Sequence, residues 1–184
     1  MILFVNACVR SVSRTNKLAK CLLEGTNEAY EEIHLEDIDF PTVDEEFLLR
    51  RDRLISEGRF DDPSFELARQ FARADEIMIA APFWDLSFPA SLKQFFEQIN
   101  VIGITFRYSP QGIPEGLCKA RRLTYITTAG GDFFPEEFGF GYVKALSRNF
   151  YGIQDVRLLK AVGLDVDGAD VEKILRTAID GYIQ

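Results

Sequence analysis

The sequence predicts a doubly wound α/β domain built on a five-stranded parallel sheet in the order 2-1-3-4-5. Three observations carry that expectation. Short apolar runs, Ile2 to Val5 and Ile77 to Ala81, read as buried strands, and Leu123 to Thr128, rich in β-formers, reads as another strand. Stretches with apolar residues at helical spacing alternate with them, and strand–helix–strand units require right-handed crossovers and a sheet covered on both sides. At 184 residues and 47% hydrophobic content, residues 1 to 184 fit one domain with a full core.

The first strand ends at Asn6 and Ala7. After a polar turn, Leu18, Ala19, Leu22 and Leu23 recur at helical spacing from Asn16, and Gly25 supplies the stop. Ile33 and Leu35 alternate with charged neighbours in a second strand, as at a sheet edge with one face open to water. The acidic segment Asp37 to Pro63 reads as an excursion with an extra helix carrying Phe47, Leu48, Leu54 and Ile55. Pro63 opens a helix with Phe65, Ala68, Phe71 and Ala72 inward, ending near Asp75. After the third strand, Ser87 to Pro89 opens a helix with Leu92, Phe95, Phe96 and Ile99 on one face. The fourth strand, ending at Thr128, is followed by a helix near Phe138 to Asn149. Val156 to Val162 is the fifth strand, and Asp170 to Tyr182 closes the chain as an amphipathic helix.

The formal charge of -8 is spread along the chain, which argues against a nucleic-acid or anionic-membrane surface. An anionic ligand must therefore be held by local groups. Cys8, Cys21 and Cys118 form neither a metal spacing nor an even disulfide set, and the start does not resemble a signal peptide, so a reducing cytoplasm is expected. No apolar stretch approaches the roughly 20 residues of a membrane-spanning helix. The sole histidine, His34, has no ligand cluster around it in sequence and reads as a surface or packing residue. Cys21 is expected on the inner side of the first helix, and Cys118 in a loop.

In such sheets ligands bind beyond the carboxyl ends of the strands, where strand order reverses. Three turns matter. The first, Cys8 to Asn16, offers Ser11, Ser13 and Thr15 with Arg10 and Arg14 at a helix N-terminus, an anion site or simply a capped helix with solvated arginines. The second, Ala81 to Pro89, places Phe83, Trp84 and Phe88 at a strand's end, either to stack a planar ring or to cap the core. The third, Thr127-Thr128-Ala129-Gly130-Gly131, strips away side chains for close backbone approach or for an ordinary tight turn. Their convergence in a 2-1-3-4-5 sheet is stronger than any one alone.

These turns, with Ser13-Arg14-Thr15-Asn16, Ala81-Pro82 before the aromatic turn and Pro89, and Thr105-Phe106-Arg107-Tyr108 with Gly112 downstream, resemble the FMN-dependent NAD(P)H:quinone oxidoreductases and azoreductases of the flavodoxin-like fold. The resemblance covers most of the chain and implies a homodimer. It also implies that Ser13, Arg14 and Thr15 bind the FMN phosphate, with Cys8 and Arg10 nearby. Pro82, Phe83, Trp84, Asp85 and Leu86 would border the isoalloxazine ring, and Thr128, Ala129, Gly130 and Gly131 its pyrimidine side. Phe106, Tyr108 and Phe150 would line a substrate cleft shared with a second subunit. The family often has methionine-tyrosine-asparagine-phenylalanine where this chain has Phe83-Trp84-Asp85-Leu86, and serine-arginine at Thr128-Ala129.

The implied reaction is a two-step hydride relay from NADH or NADPH through FMN to a quinone or azo compound, with no metal. The flavin carries the chemistry, so no acid, base or nucleophile is named. Two rivals stand beside it. Cys8 and Arg14, with five residues between them and Thr15 following, resemble the phosphate loop of low-molecular-weight tyrosine phosphatases. A flavodoxin-type electron carrier fits the acidic balance, whereas the Thr-Phe-Arg-Tyr segment and the long excursion favour an enzyme dimer.

Overall fold

The computed structural model describes residues 1–183. Seven strands are numbered in chain order: β1 (Ile2–Asn6), β2 (Tyr30–His34), β3 (Glu76–Ala80), β4 (Phe106–Tyr108), β5 (Pro114–Gly116), β6 (Arg122–Thr128) and β7 (Asp155–Ala161). Five of them form a parallel sheet ordered β2-β1-β3-β6-β7, while β4 and β5 pair antiparallel as a separate hairpin. With the hairpin set aside, this is the expected 2-1-3-4-5 order. The helices are α1 (Arg14–Thr26), α2 (Glu45–Ser56), α3 (Glu66–Arg73), α4 (Ala90–Ile99), α5 (Phe140–Leu146) and α6 (Val171–Ile183).

Alternation along the buried strands divides the core into two layers. Ile2 and Phe4 of β1, with Met78, Ala80 and Ile126, pack against α1 and α6. Leu3 and Val5, with Ile77, Ile79, Leu123 and Tyr125, pack against α3, α4 and α5, and Leu54 of α2 joins this layer. The excursion between Asp37 and Pro63 thus anchors its helix to the core through a buried leucine.

Several local expectations are corrected. Gly25 does not stop α1; the helix runs to Thr26, and Asn27 takes the left-handed cap at φ 53°, a conformation asparagine tolerates. Cys21 is exposed, because the buried stripe of α1 runs through Thr15, Leu18, Ala19, Leu22 and Leu23 and bypasses position 21. Leu35 is buried in a short 3-10 turn that ends β2 at His34. The helix expected from Phe138 begins only at Phe140, and its last turn, Ser147–Tyr151, is wound as a π-helix.

Candidate functional site

Asn6 shapes the first turn. Buried at the end of β1, it accepts a hydrogen bond from the Cys8 N–H (3.0 Å) and donates to Glu32 Oε1 (3.0 Å) and Asn16 Oδ1 (3.3 Å). His34 Nε2 donates to the Cys8 carbonyl at 3.2 Å, a packing role for the lone histidine. Ser13 then caps α1, its Oγ accepting from the Asn16 N–H at 3.2 Å. The cap uses one of the helix's orphan donors and leaves the Arg14 and Thr15 N–H groups without an intrahelical acceptor.

The second turn is a tight reversal. Trp84 N–H donates to the Ser87 carbonyl (3.2 Å) and Ser87 N–H to that of Trp84 (2.7 Å), with Asp85 at φ 49° and Leu86 at φ 68°. Turns with two left-handed central residues favour Asn-Gly; a leucine there carries strain of about 1–2 kcal/mol. Phe83 N–H donates to the Thr128 carbonyl at 3.1 Å, and its ring packs on Phe134 with centroids 4.6 Å apart.

The third turn is laced to the chain beyond β7. Gly163, Leu164 and Asp165 donate backbone N–H groups to the carbonyls of Gly131 (3.1 Å), Ala129 (3.3 Å) and Gly130 (2.8 Å). A Cβ on Gly130 would lie 2.2 Å from Asp165 Oδ2, the end of an exposed side chain that could swing aside, so the turn approaches the carboxylate closely without demanding glycine. Gly131 has nothing within 4 Å of such a Cβ, and its lack of a side chain is not imposed by packing.

The three turns converge on one cavity of about 410 Å³. From the first turn it is lined by Arg10, Ser13, Arg14 and Thr15, from the second by Pro82, Phe83 and Trp84, and from the third by Thr128, Ala129 and Gly130. Thr15 Oγ1 and Thr128 Oγ1, both buried, meet at 2.6 Å. Sequence reasoning missed Val9, Val12, Leu164 and Asp165 as lining residues. The last two come from the loop after β7, and nothing local in sequence marks that loop as part of the site.

Cys8, Asp85, Leu86 and Gly131 do not line the cavity. The Cys8 side chain is buried against the Ala80 carbonyl (Sγ to O 3.8 Å), and desolvation pushes its thiol up to about 11. A buried thiol held protonated is a poor nucleophile, which weighs against the phosphatase-loop rival. Phe106, Tyr108 and Phe150 do form one aromatic cluster, with ring centroids 5.5 Å and 4.9 Å from Phe106, but none lines the cavity. A larger cleft, about 940 Å³, lies on the other side of the first turn; its Lys20, Glu32, Asn6 and Asn16 are already bonded to one another. Among the described residues, no group of three or more His, Cys, Asp or Glu is placed to hold a metal, and no helix is long and apolar enough to cross a membrane.

A family model described as a flavodoxin-like fold matches residues 1–184. The chain is 34% identical over 182 residues to an FMN-dependent NADH:quinone oxidoreductase of Clostridium beijerinckii, covering 95% of this chain and 91% of that one. It is 38% identical over 187 residues to FMN-dependent NADH:quinone oxidoreductase 2 of Clostridium acetobutylicum, with the same coverage of each chain. A solved FMN-dependent NADH-azoreductase from Bacillus anthracis, in complex with FMN, superposes with a TM-score of 0.79 at 27% identity, covering 98% of this chain and 94% of the other. By fold, by length and by identity, this chain belongs to the flavodoxin-like family of FMN-dependent NADH:quinone oxidoreductases.

Proposed function

We propose that this chain is an FMN-dependent oxidoreductase that passes hydride from NADH or NADPH to a quinone or azo acceptor, acting as a homodimer. The observation that carries it is the convergence of three turns on one cavity with a cationic end and an aromatic end. The residues fit the cofactor. Arg10, Arg14 and the free N–H groups at the start of α1 suit a phosphate, while Phe83 and Trp84 offer apolar faces to a planar ring. A volume of about 410 Å³ lies within the roughly 300–1,000 Å³ typical of ligand sites.

When bound, FMN supplies the hydride relay between nicotinamide and acceptor. The protein's share is placement. The α1 N-terminus with Arg10 and Arg14 would fix the phosphate, the Thr15–Thr128 pair ties the first turn to the third, and the Trp84–Ser87 reversal holds Phe83 and Trp84 at the ring position. Phe106, Tyr108 and Phe150 lie outside their own chain's cavity, so a substrate role for them fits a cleft completed by a second copy. Exposed Ile102, Tyr108 and Ile113 around the hairpin give that copy apolar surface to cover. Three free cysteines suit a reducing compartment such as the cytoplasm.

The test is steady-state turnover of the FMN-loaded protein with NADH and a small soluble quinone, without other proteins. Stoichiometric NADH oxidation and quinone reduction support the proposal. Turnover that requires an added protein partner would make the chain an electron carrier instead, and no turnover under either condition would refute it.

A further inference from the structure

Asp165 puts a carboxylate into the cavity beside the groups assigned to the phosphate, a like charge where an anion is to bind. Its backbone is held by the third turn, while its side chain is exposed. The backbone around it is bonded to the third turn through Leu164 and Asp165, and its carboxylate lies against Gly130, where a Cβ would come within 2.2 Å of Oδ2. From there Asp165 Oδ1 reaches Arg14 Nη1 at 2.5 Å, across 151 positions of sequence. The pair links the start of α1 to the loop after β7, both of which line the cavity.

Arg14 therefore has two candidate anions. The pair with Asp165 is exposed, at 43% and 68% of the two side chains, so water screens it and its partner is exchangeable. A phosphate monoester carries about -1.5 to -2 charges at neutral pH against one on Asp165, and it offers three acceptor oxygens. We propose that Asp165 competes with the FMN phosphate for the Arg14 guanidinium and so sets flavin affinity; this rests on the FMN-binding function proposed above. Asp165 is thus a positioning residue, acting through Arg14 and not on the ring.

The test measures dissociation constants for FMN and for riboflavin, which lacks the phosphate, in wild type, Asp165→Asn, Arg14→Ala and the double variant. Asp165→Asn keeps the side-chain size, and Asp165→Ala with a circular-dichroism check gives a second measurement. The expected result is FMN binding about two- to fivefold tighter in Asp165→Asn, the range of an exposed ion pair. Riboflavin binding should not change, the gain should shrink at high salt, and it should vanish when Arg14 is alanine. Unchanged or weaker FMN binding in Asp165→Asn, an equal gain for riboflavin, or a full gain without Arg14 would each overturn the competition. Wild type that binds neither flavin would instead overturn the FMN-binding function itself, and the inference with it.

Discussion

Thr15 Oγ1 and Thr128 Oγ1 lie 2.6 Å apart with both residues buried, tying the first turn of α1 to the last residue of β6. The bond closes the wall between the first and third turns. Replacing Thr15 with Val leaves the Thr128 hydroxyl buried without this partner, and the expected cost is about 1–3 kcal/mol. Denaturant unfolding checks it. The double variant Thr15→Val/Thr128→Val should lose less than the sum of the singles, because no hydroxyl is then orphaned.

The cysteines should differ sharply in reactivity. Burial pushes the Cys8 thiol up to about 11 and that of Cys118 up to about 12, so both are protonated at pH 8, whereas Cys21 lies exposed on α1. Alkylation of the folded protein at pH 8, read by mass spectrometry, should add one label, at Cys21, and unfolding should admit all three. Rapid labelling of Cys8 in the folded chain would contradict the buried placement and revive phosphatase-like chemistry.

Two glycines should respond with opposite signs. Gly25 sits inside α1 with nothing within 4 Å of a Cβ, so Gly25→Ala is expected to stabilise by roughly 0.5–1 kcal/mol. At Gly116 a Cβ would lie 2.2 Å from the Gly152 nitrogen and 2.4 Å from the Tyr151 carbonyl oxygen, both backbone atoms that cannot step aside. Gly116→Ala should therefore destabilise by about 1–3 kcal/mol or more, read as a lowered unfolding midpoint.

The parts of this fold that were legible in sequence are those fixed by local pattern. Ile2 to Val5 and Ile77 to Ala81 are apolar on both faces because helices cover both sides of the sheet, and that shows in sequence as unbroken hydrophobic runs. The same pattern located the three turns, and with them most of the cavity wall. The β4–β5 hairpin left no comparable trace: each strand has three residues, one begins with Pro114, and Gly116 is dictated by a contact with the π-turn at Tyr151 and Gly152. Asp165 was hidden for a related reason, since its place beside Arg14 exists only once β7 has been laid beside β6. The side of Cys21 was misjudged because the buried stripe of α1 is narrow.

Trp84 is the only tryptophan in the chain, and it lines the cavity. Titrating flavin-free protein with FMN while following tryptophan emission therefore reports directly on that cavity. Saturable quenching of Trp84 at one FMN per chain, with the flavin co-eluting in gel filtration, is the result expected. Unquenched Trp84 and flavin that elutes free would contradict the assignment of this cavity to FMN.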